Sequence, residues 1–293
     1  MKRNKTPQII DRINRPGQPL YLMSKSHRRL AEFINQNPEK AIFMTATALG
    51  DVCQVSESTV VRFAVALGYK GFPDMRKALR SAVRQSLTSA ERFAIASSID
   101  EREVLRTVLR NDEQNLRKTM DSISQAEMDD AVTRLLAARR IYIMGLRSAA
   151  PLAQFLYHYL HQILDDVVLV HNATGDVFEE VARLTGRDVM VGVSFPRYSA
   201  RTLECMRFAR ENGAQVIGLT DSESSPLREA CDVCLCASTD MGSFVDSLAA
   251  PMSVINALIV SVGLHRREEL AEHFKQLEGI WNAHSVYIDK QHE

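Results

Sequence analysis

Beyond residue 140 the chain alternates short β-rich runs with helical stretches, and that alternation limits its folding options more than any other feature. The runs lie at 141–144, 167–170, 188–193, 215–219 and 232–235, and most are separated by about a dozen residues of helical pattern. A strand followed by a helix brings the next strand back in the same direction. The sheet is therefore expected to be parallel, with right-handed crossovers and helices on both faces, which is a doubly wound α/β domain. The apolar run 244–264 has the length of a membrane span. Asp246, Pro251 and several Ser and Asn residues interrupt it, so it is expected as a buried core helix.

No strand signal precedes residue 141. The segment 1–20 carries Pro7, Pro16, Gly17 and Pro19 without a sustained period and is expected as a mobile arm. Helical signals then begin. Ser24 or Ser26 can cap a first helix with Leu30, Phe33 and Ile34 on one face, ended by Asn37-Pro38; a second, short helix runs over 39–44. Thr45 can cap a third helix carrying Leu49 and Val52, and Ser56 a fourth that ends at Gly68. Two short helices joined by the tight break Gln54-Val55-Ser56 predict a helix-turn-helix. A further helix is expected over 73–86, a Ser-rich linker over 87–100, and a long amphipathic helix over 101–122. The expected organisation is an arm (1–20), an all-α helix-turn-helix domain (21–88), a linker with a connecting helix (89–125), the α/β domain (126–270) and a C-terminal helix or tail (271–293).

With 293 residues, 45% hydrophobic and 25% charged, the composition is that of an ordinary globular chain, and the zero net charge hides a division. Residues 1–90 hold 15 Lys and Arg against 6 Asp and Glu, a net of +9; the remainder holds 21 against 30, a net of −9. A basic end joined to an acidic one is the footprint of a domain that meets a polyanion. On a helical wheel Val60, Phe63, Ala64 and Leu67 point one way and Ser58, Thr59, Arg62 and Ala66 the other. Short polar residues around one arginine suit a helix that enters a major groove, and Arg62 can bond a guanine edge bidentately. Ser56, Ser58 and Thr59 sit at the helix N-terminus, where hydroxyls and free amides favour phosphate, and Lys70, Arg76 and Lys77 follow as phosphate contacts.

The stretch VSESTVVRFAVALGYKGFPDMRKAL, from Val55 to Leu79, closely resembles the recognition segment of RpiR-type bacterial regulators, in a Ser-x-Ser/Ala-Thr-Val-x-Arg-Phe helix followed by Leu-Gly-Tyr-Lys-Gly-Phe. The resemblance implies binding to a double-stranded DNA operator.

In the second half two loops follow strands and precede helices, where open α/β sheets take their ligands. They are Gly145-Leu146-Arg147-Ser148 and Ser194-Phe195-Pro196-Arg197-Tyr198-Ser199. Gly145 permits a tight turn, and Ser148 and Ser199 place hydroxyls beside helix N-terminal amides, a setting that favours an anion. His171, just after the second strand, can enter the same crevice. Residues 130–265 resemble the sugar isomerase, or SIS, domain, which follows the DNA-binding segment in the same regulator family. There the loops usually read Gly-x-Gly-x-Ser and Ser-x-Ser-Gly-x-Thr and hold the phosphate of a phosphosugar. By that resemblance Ser148, Ser194 and Ser199 carry over as ligand contacts. This chain departs from the pattern, with Arg147 at the second Gly, Pro196-Arg197 in place of Ser-Gly, and Ser199 in place of Thr. Two readings of the arginines stand side by side. They bind a second anionic group, so that a sugar acid suits the site as well as a phosphosugar, or they point outward or pair with local carboxylates such as Asp176 or Glu179.

Three of the five cysteines, Cys231, Cys234 and Cys236, cluster, but no second ligand pair at zinc-type spacing accompanies them, and they are expected as small buried strand residues rather than a metal site. The expected function is that of a transcription regulator, not an enzyme and without a cofactor, which senses a small anionic metabolite and changes operator affinity. It is expected to work as a homodimer or homotetramer, in the cytoplasm and away from membranes. The alternative is a phosphosugar isomerase with a helical extension. Isomerisation needs a base beside the phosphate loops, for which Glu179, Glu180, Glu204 and His171 are nominal candidates in no catalytic motif.

Overall fold

The computed structural model describes residues 24–83, 87–96, 99–171 and 175–287. The expected arm over 1–20 and the end of the expected tail lie outside the described residues. The chain divides into two compact units, Met1–Asn111 with Asp240–Asp246, and Asp112–Thr239 with Ser247–Glu293.

The first unit is helical, with α1 (Lys25–Gln36), α2 (Pro38–Ala41), α3 (Ala46–Cys53), α4 (Glu57–Ala66), α5 (Phe72–Val83) and α6 (Ser89–Ala96). The caps come from the expected residues. Ser24 Oγ accepts from the His27 amide at 3.2 Å and Thr45 Oγ1 from the Ala48 amide at 3.1 Å. Leu30 and Ile34 of α1, Leu49 of α3, Val60 and Phe63 of α4 and Met75 and Leu79 of α5 form one fully buried core.

Helix α6 occupies the segment where a Ser-rich linker is expected. Its start is a reciprocal capping box: Thr88 donates through both its amide and hydroxyl to Glu91 Oε2 at 2.7 Å, and the Glu91 amide donates back to Thr88 Oγ1 at 3.2 Å. The apolar run beginning at residue 244 also divides differently from expectation, because its first residues belong to the first unit. There Asp246 forms a buried ion pair with Arg92 of α6 at 3.0 Å, Phe244 packs edge-on to Phe93 with ring centres 5.5 Å apart, and Asn111 Nδ2 donates to the Asp240 carbonyl at 2.9 Å.

Helix α7 (Val104–Ser122) contains the division between the units. The second unit continues with α8 (Gln125–Ala137), β1 (Ile141–Gly145), α9 (Ala150–Ile163), β2 (Val167–Val170), α10 (Val177–Glu180), β3 (Val189–Val193), α11 (Ala200–Glu211), β4 (Gln215–Thr220), β5 (Val233–Cys236), α12 (Ala249–His265) and α13 (Arg267–Ala283). All strand pairs are parallel, in the order β2-β1-β3-β4-β5. Residues of successive parity feed opposite faces, as the pleat requires. Ile141, Ile143, Val189 and Val191 join the core under α8, α9 and α12, whereas Tyr142, Met144 and Met190 join the one under α10 and α11. Helix α12 is a core helix on one face only, since Val260 and Leu264 are exposed. Among the described residues no single helix is long and apolar enough to cross a membrane.

Candidate functional site

Two candidate sites are built by these elements, one in each unit. In the first, α3 and α4 are joined through Gln54, whose backbone is left-handed (φ 54°), and Thr47 Oγ1 donates to Glu57 Oε2 at 2.9 Å, tying the two helices across the turn. Gly50 allows that closeness, because a Cβ there would fall 2.7 Å from the Val55 carbonyl oxygen. It is a signal the sequence carries that pattern reading passes over. Ser56 caps α4 through the Thr59 amide at 3.3 Å, and its hydroxyl lies 2.9 Å from those of Ser58 and Thr59.

Arg62 is exposed and folds back over this cluster, donating from Nε to the Ser58 carbonyl and from Nη2 to Thr59 Oγ1, each at 3.4 Å. Long bonds of this kind are easily exchanged for a better acceptor. Val60, Phe63, Ala64 and Leu67 face the core as the wheel predicts. The outward face differs from expectation in two ways. Thr59 is half-buried, and Val61 and Val65 stand exposed beside Ser58 and Arg62.

The residues beyond α4 divide as well. Lys70 and Lys77 are exposed, whereas Arg76 is half-buried, donates to the Met44 carbonyl at 3.1 Å and lies over the Phe72 ring at 5.8 Å. Arg76 thus has a packing task that its expected phosphate role does not include. His27 of α1 packs edge-on to Phe63 with ring centres 5.4 Å apart. Burial and then the nearby charge of Arg62 hold its pKa below the ordinary value.

The second site lies at the C-terminal ends of the strands. The chain leaves β1 for β2 on one side while β3 lies on the other, so the order of the strands reverses between β1 and β3, the place where such sheets open a crevice. Gly145 and Val193, the last residues of these strands, are register partners, and the two expected loops therefore leave the sheet side by side. Gly145 acts through close approach and not through a turn. A Cβ on it would fall 2.8 Å from the Ala149 carbonyl oxygen and 2.9 Å from the Ala153 Cβ.

The left-handed positions are instead Arg147 (φ 58°) and Arg197 (φ 65°), the two places where glycine is usual. Both arginines are exposed. Asp176 pairs with Arg201 at 3.2 Å rather than with either of them.

Ser194 is buried and its Oγ accepts from the Ser199 amide at 2.9 Å, which closes the second loop on itself. Ser199 caps α11 by accepting from the Thr202 amide at 3.2 Å. The loop is further held by the Tyr198 hydroxyl, which donates to Asp221 Oδ1 at 2.7 Å, a support from the end of β4 that sequence reading missed. Ser148 is exposed in the single 3-10 turn Arg147–Ala149. Counted from Gly145, the serine of the Gly-x-Gly-x-Ser pattern falls on Ala149, which is buried and has no hydroxyl, so the pattern gives Ser148 no direct warrant. His171 is exposed and turned to α10, with its amide 3.3 Å and its ring Nδ1 3.6 Å from Glu180 Oε2.

The clustered cysteines belong to the sheet and its edge. Cys231 and Cys234 are buried, with the Cys234 and Cys236 sulfurs 3.9 Å apart. Among the described residues no group of three or more His, Cys, Asp and Glu side chains is placed to hold a metal ion.

Comparison with known proteins covers both units. Residues 9–86 match the helix-turn-helix domain of the rpiR family, and residues 134–261 match the SIS domain. The HTH-type transcriptional regulator HexR of Pseudomonas aeruginosa is 30% identical over 267 residues, covering 87% of this chain and 90% of that protein. HexR of Escherichia coli is 27% identical over 269 residues, 87% of this chain and 89% of that one. The sugar isomerase domain of an RpiR transcription factor from Sphaerobacter thermophilus superposes with a TM-score of 0.58 at 25% identity, over 60% of this chain and 98% of that one. The Vibrio vulnificus NanR protein, solved in complex with ManNAc-6P, has the same fold at 20% identity (TM-score 0.57) over 96% of this chain and 100% of that one. With a helix-turn-helix unit in front and a SIS unit behind, the chain belongs to the RpiR family of HTH-type transcriptional regulators.

Proposed function

We propose that the chain binds a DNA operator through α4 and takes a small anionic metabolite, a phosphosugar or a sugar acid, into the crevice between β1 and β3, with operator affinity set by that ligand. The observation that carries the ligand class is the pair of exposed arginines on adjacent loops, each held in a left-handed backbone where the family pattern has glycine. A non-glycine residue in that region costs about 1–2 kcal/mol, and strain of this size is characteristic of functional loops. Each arginine adds a charged, planar donor fork beside amides that already favour an anion. The phosphosugar bound by Vibrio vulnificus NanR supports the same class of ligand.

A regulator needs only differential affinity for ligand between two conformations, without a base. Of the nominal bases, Glu204 is engaged by Arg201 at 3.5 Å, Glu180 and His171 face each other at 3.6 Å, and none stands in a catalytic motif, which favours regulation over isomerisation. Two recognition helices on one operator require two copies of the chain, and we assign self-association to the SIS units.

The test is a thermal-shift screen of phosphosugars and sugar acids against the full chain. Stabilisation by some of these and by none of their uncharged parent sugars is the expected result. Equal response to charged and uncharged sugars would overturn the ligand class, and turnover of a phosphosugar at ordinary enzyme rates would overturn the regulatory reading.

A further inference from the structure

The outward face of α4 carries two parallel rows. Ser58, Arg62 and Ala66 stand at i, i+4, i+8, and Val61 and Val65 form a second row one residue behind them. The valines are 39% and 54% exposed, while Val60, Phe63 and Ala64 on the opposite face are fully buried, so packing within the unit does not account for them. Resting on the proposal that α4 reads DNA, we infer that Val61 and Val65 read the C5-methyl groups of thymines next to the base pair contacted by Arg62.

The argument is one of exclusion by chemistry. A valine offers neither donor nor acceptor. Pressed against the major-groove edge of guanine, adenine or cytosine, it would strip water from N7, O6, N6 or N4 and return nothing, which is unfavourable. The thymine methyl is the apolar group on those edges, and burying it against valine is favourable. The polar row beside it supplies the contrasting preference, since a guanidinium selects the two acceptors of guanine. One helix face therefore specifies a short half-site with guanine and thymine in neighbouring steps, and the two rows are separable by mutation.

The experiment starts with selection of preferred sequences from random duplex DNA by the full-length protein. Each thymine of the selected half-site is then replaced by deoxyuridine, which keeps every hydrogen-bonding group and removes only the methyl. The same duplexes are titrated against a Val61→Ala, Val65→Ala double variant, which keeps the helix because both positions are exposed and alanine is the best helix former.

The inference predicts a loss of about fourfold per methyl for the wild-type protein at one or two positions, the value for one buried carbon. It also predicts no loss at those positions for the double variant. Selection of a defined sequence whose deoxyuridine substitutions weaken both proteins equally, or neither, overturns the valine readout and leaves the DNA-reading role intact. Failure to select any sequence overturns that role and the inference with it.

Discussion

Arg147 and Arg197 concentrate the most information per residue in this protein. Both are visible in the sequence as departures from small-residue loops, but their shared left-handed backbone is not, because φ is set by how each loop closes, for Arg197 through the contacts of Ser194, Ser199 and Asp221. The consequence is a separation of strain from charge. Arg147→Gly and Arg197→Gly are expected to leave the protein as stable or more stable by about 1 kcal/mol each, since relieved strain exceeds the added entropy of the unfolded chain. Both are also expected to weaken binding of an anionic ligand. The alanine variants keep the strain and lose the charge, so they should match the glycine variants in ligand affinity and fall below them in melting temperature. Calorimetry of the four variants checks both halves. Arg62, legible from the wheel alone, gives a simpler expectation. Arg62→Ala should lose sequence-specific DNA binding by about 5- to 150-fold, the equivalent of about 1–3 kcal/mol for a bidentate base contact, while its ligand-induced thermal shift is unchanged. Gel-shift titration against selected and scrambled duplexes reads this out.

At the scale of elements, the sequence carries most of the fold because its signals are local. Each of the five strands begins and ends within one residue of expectation, and the caps at Thr45 and Ser56 are the expected ones. What escaped were elements whose signal competes with another. Helix α6 is short and set among serines, and its only clear mark is Thr88-x-x-Glu91. Thr88→Ala is expected to cost about 1 kcal/mol and to raise amide exchange in α6 first. The start of the sheet is held by a stronger device. Asp188, buried just before β3, accepts from Arg139 Nε and Nη2 at 2.8 and 2.7 Å and from the Thr185 amide and hydroxyl at 2.7 and 2.9 Å. Burial alone would push its carboxyl up, but these four donors and the arginine charge outweigh it and hold the pKa below the ordinary value. A carboxylate lowered in the folded state stabilises above the unfolded pKa near 3.9, and that contribution is lost as pH falls through the lowered folded pKa. Asp188→Ala should therefore destabilise the SIS unit by about 3 kcal/mol at pH 7, and the deficit should shrink toward acid pH in denaturant titrations.

Considered whole, the molecule divides its labour as its charge does. The basic stretch over 1–90 matches the helix-turn-helix family and the acidic remainder contains the SIS match. That division was legible from composition and periodicity. The partition of Asp240–Asp246 into the first unit was not, because a long-range pair such as Arg92 with Asp246 leaves no local pattern. If ligand changes operator affinity, the coupling must be reciprocal, so operator DNA must change ligand affinity by the same factor. The most direct measurement is operator affinity, by fluorescence anisotropy with the selected duplex, with and without a saturating anionic ligand from the thermal-shift screen. A change of about 5–150-fold in the wild-type protein, abolished in an Arg147→Ala, Arg197→Ala double variant, is the predicted result. Operator affinity that stays the same at saturating ligand would contradict it.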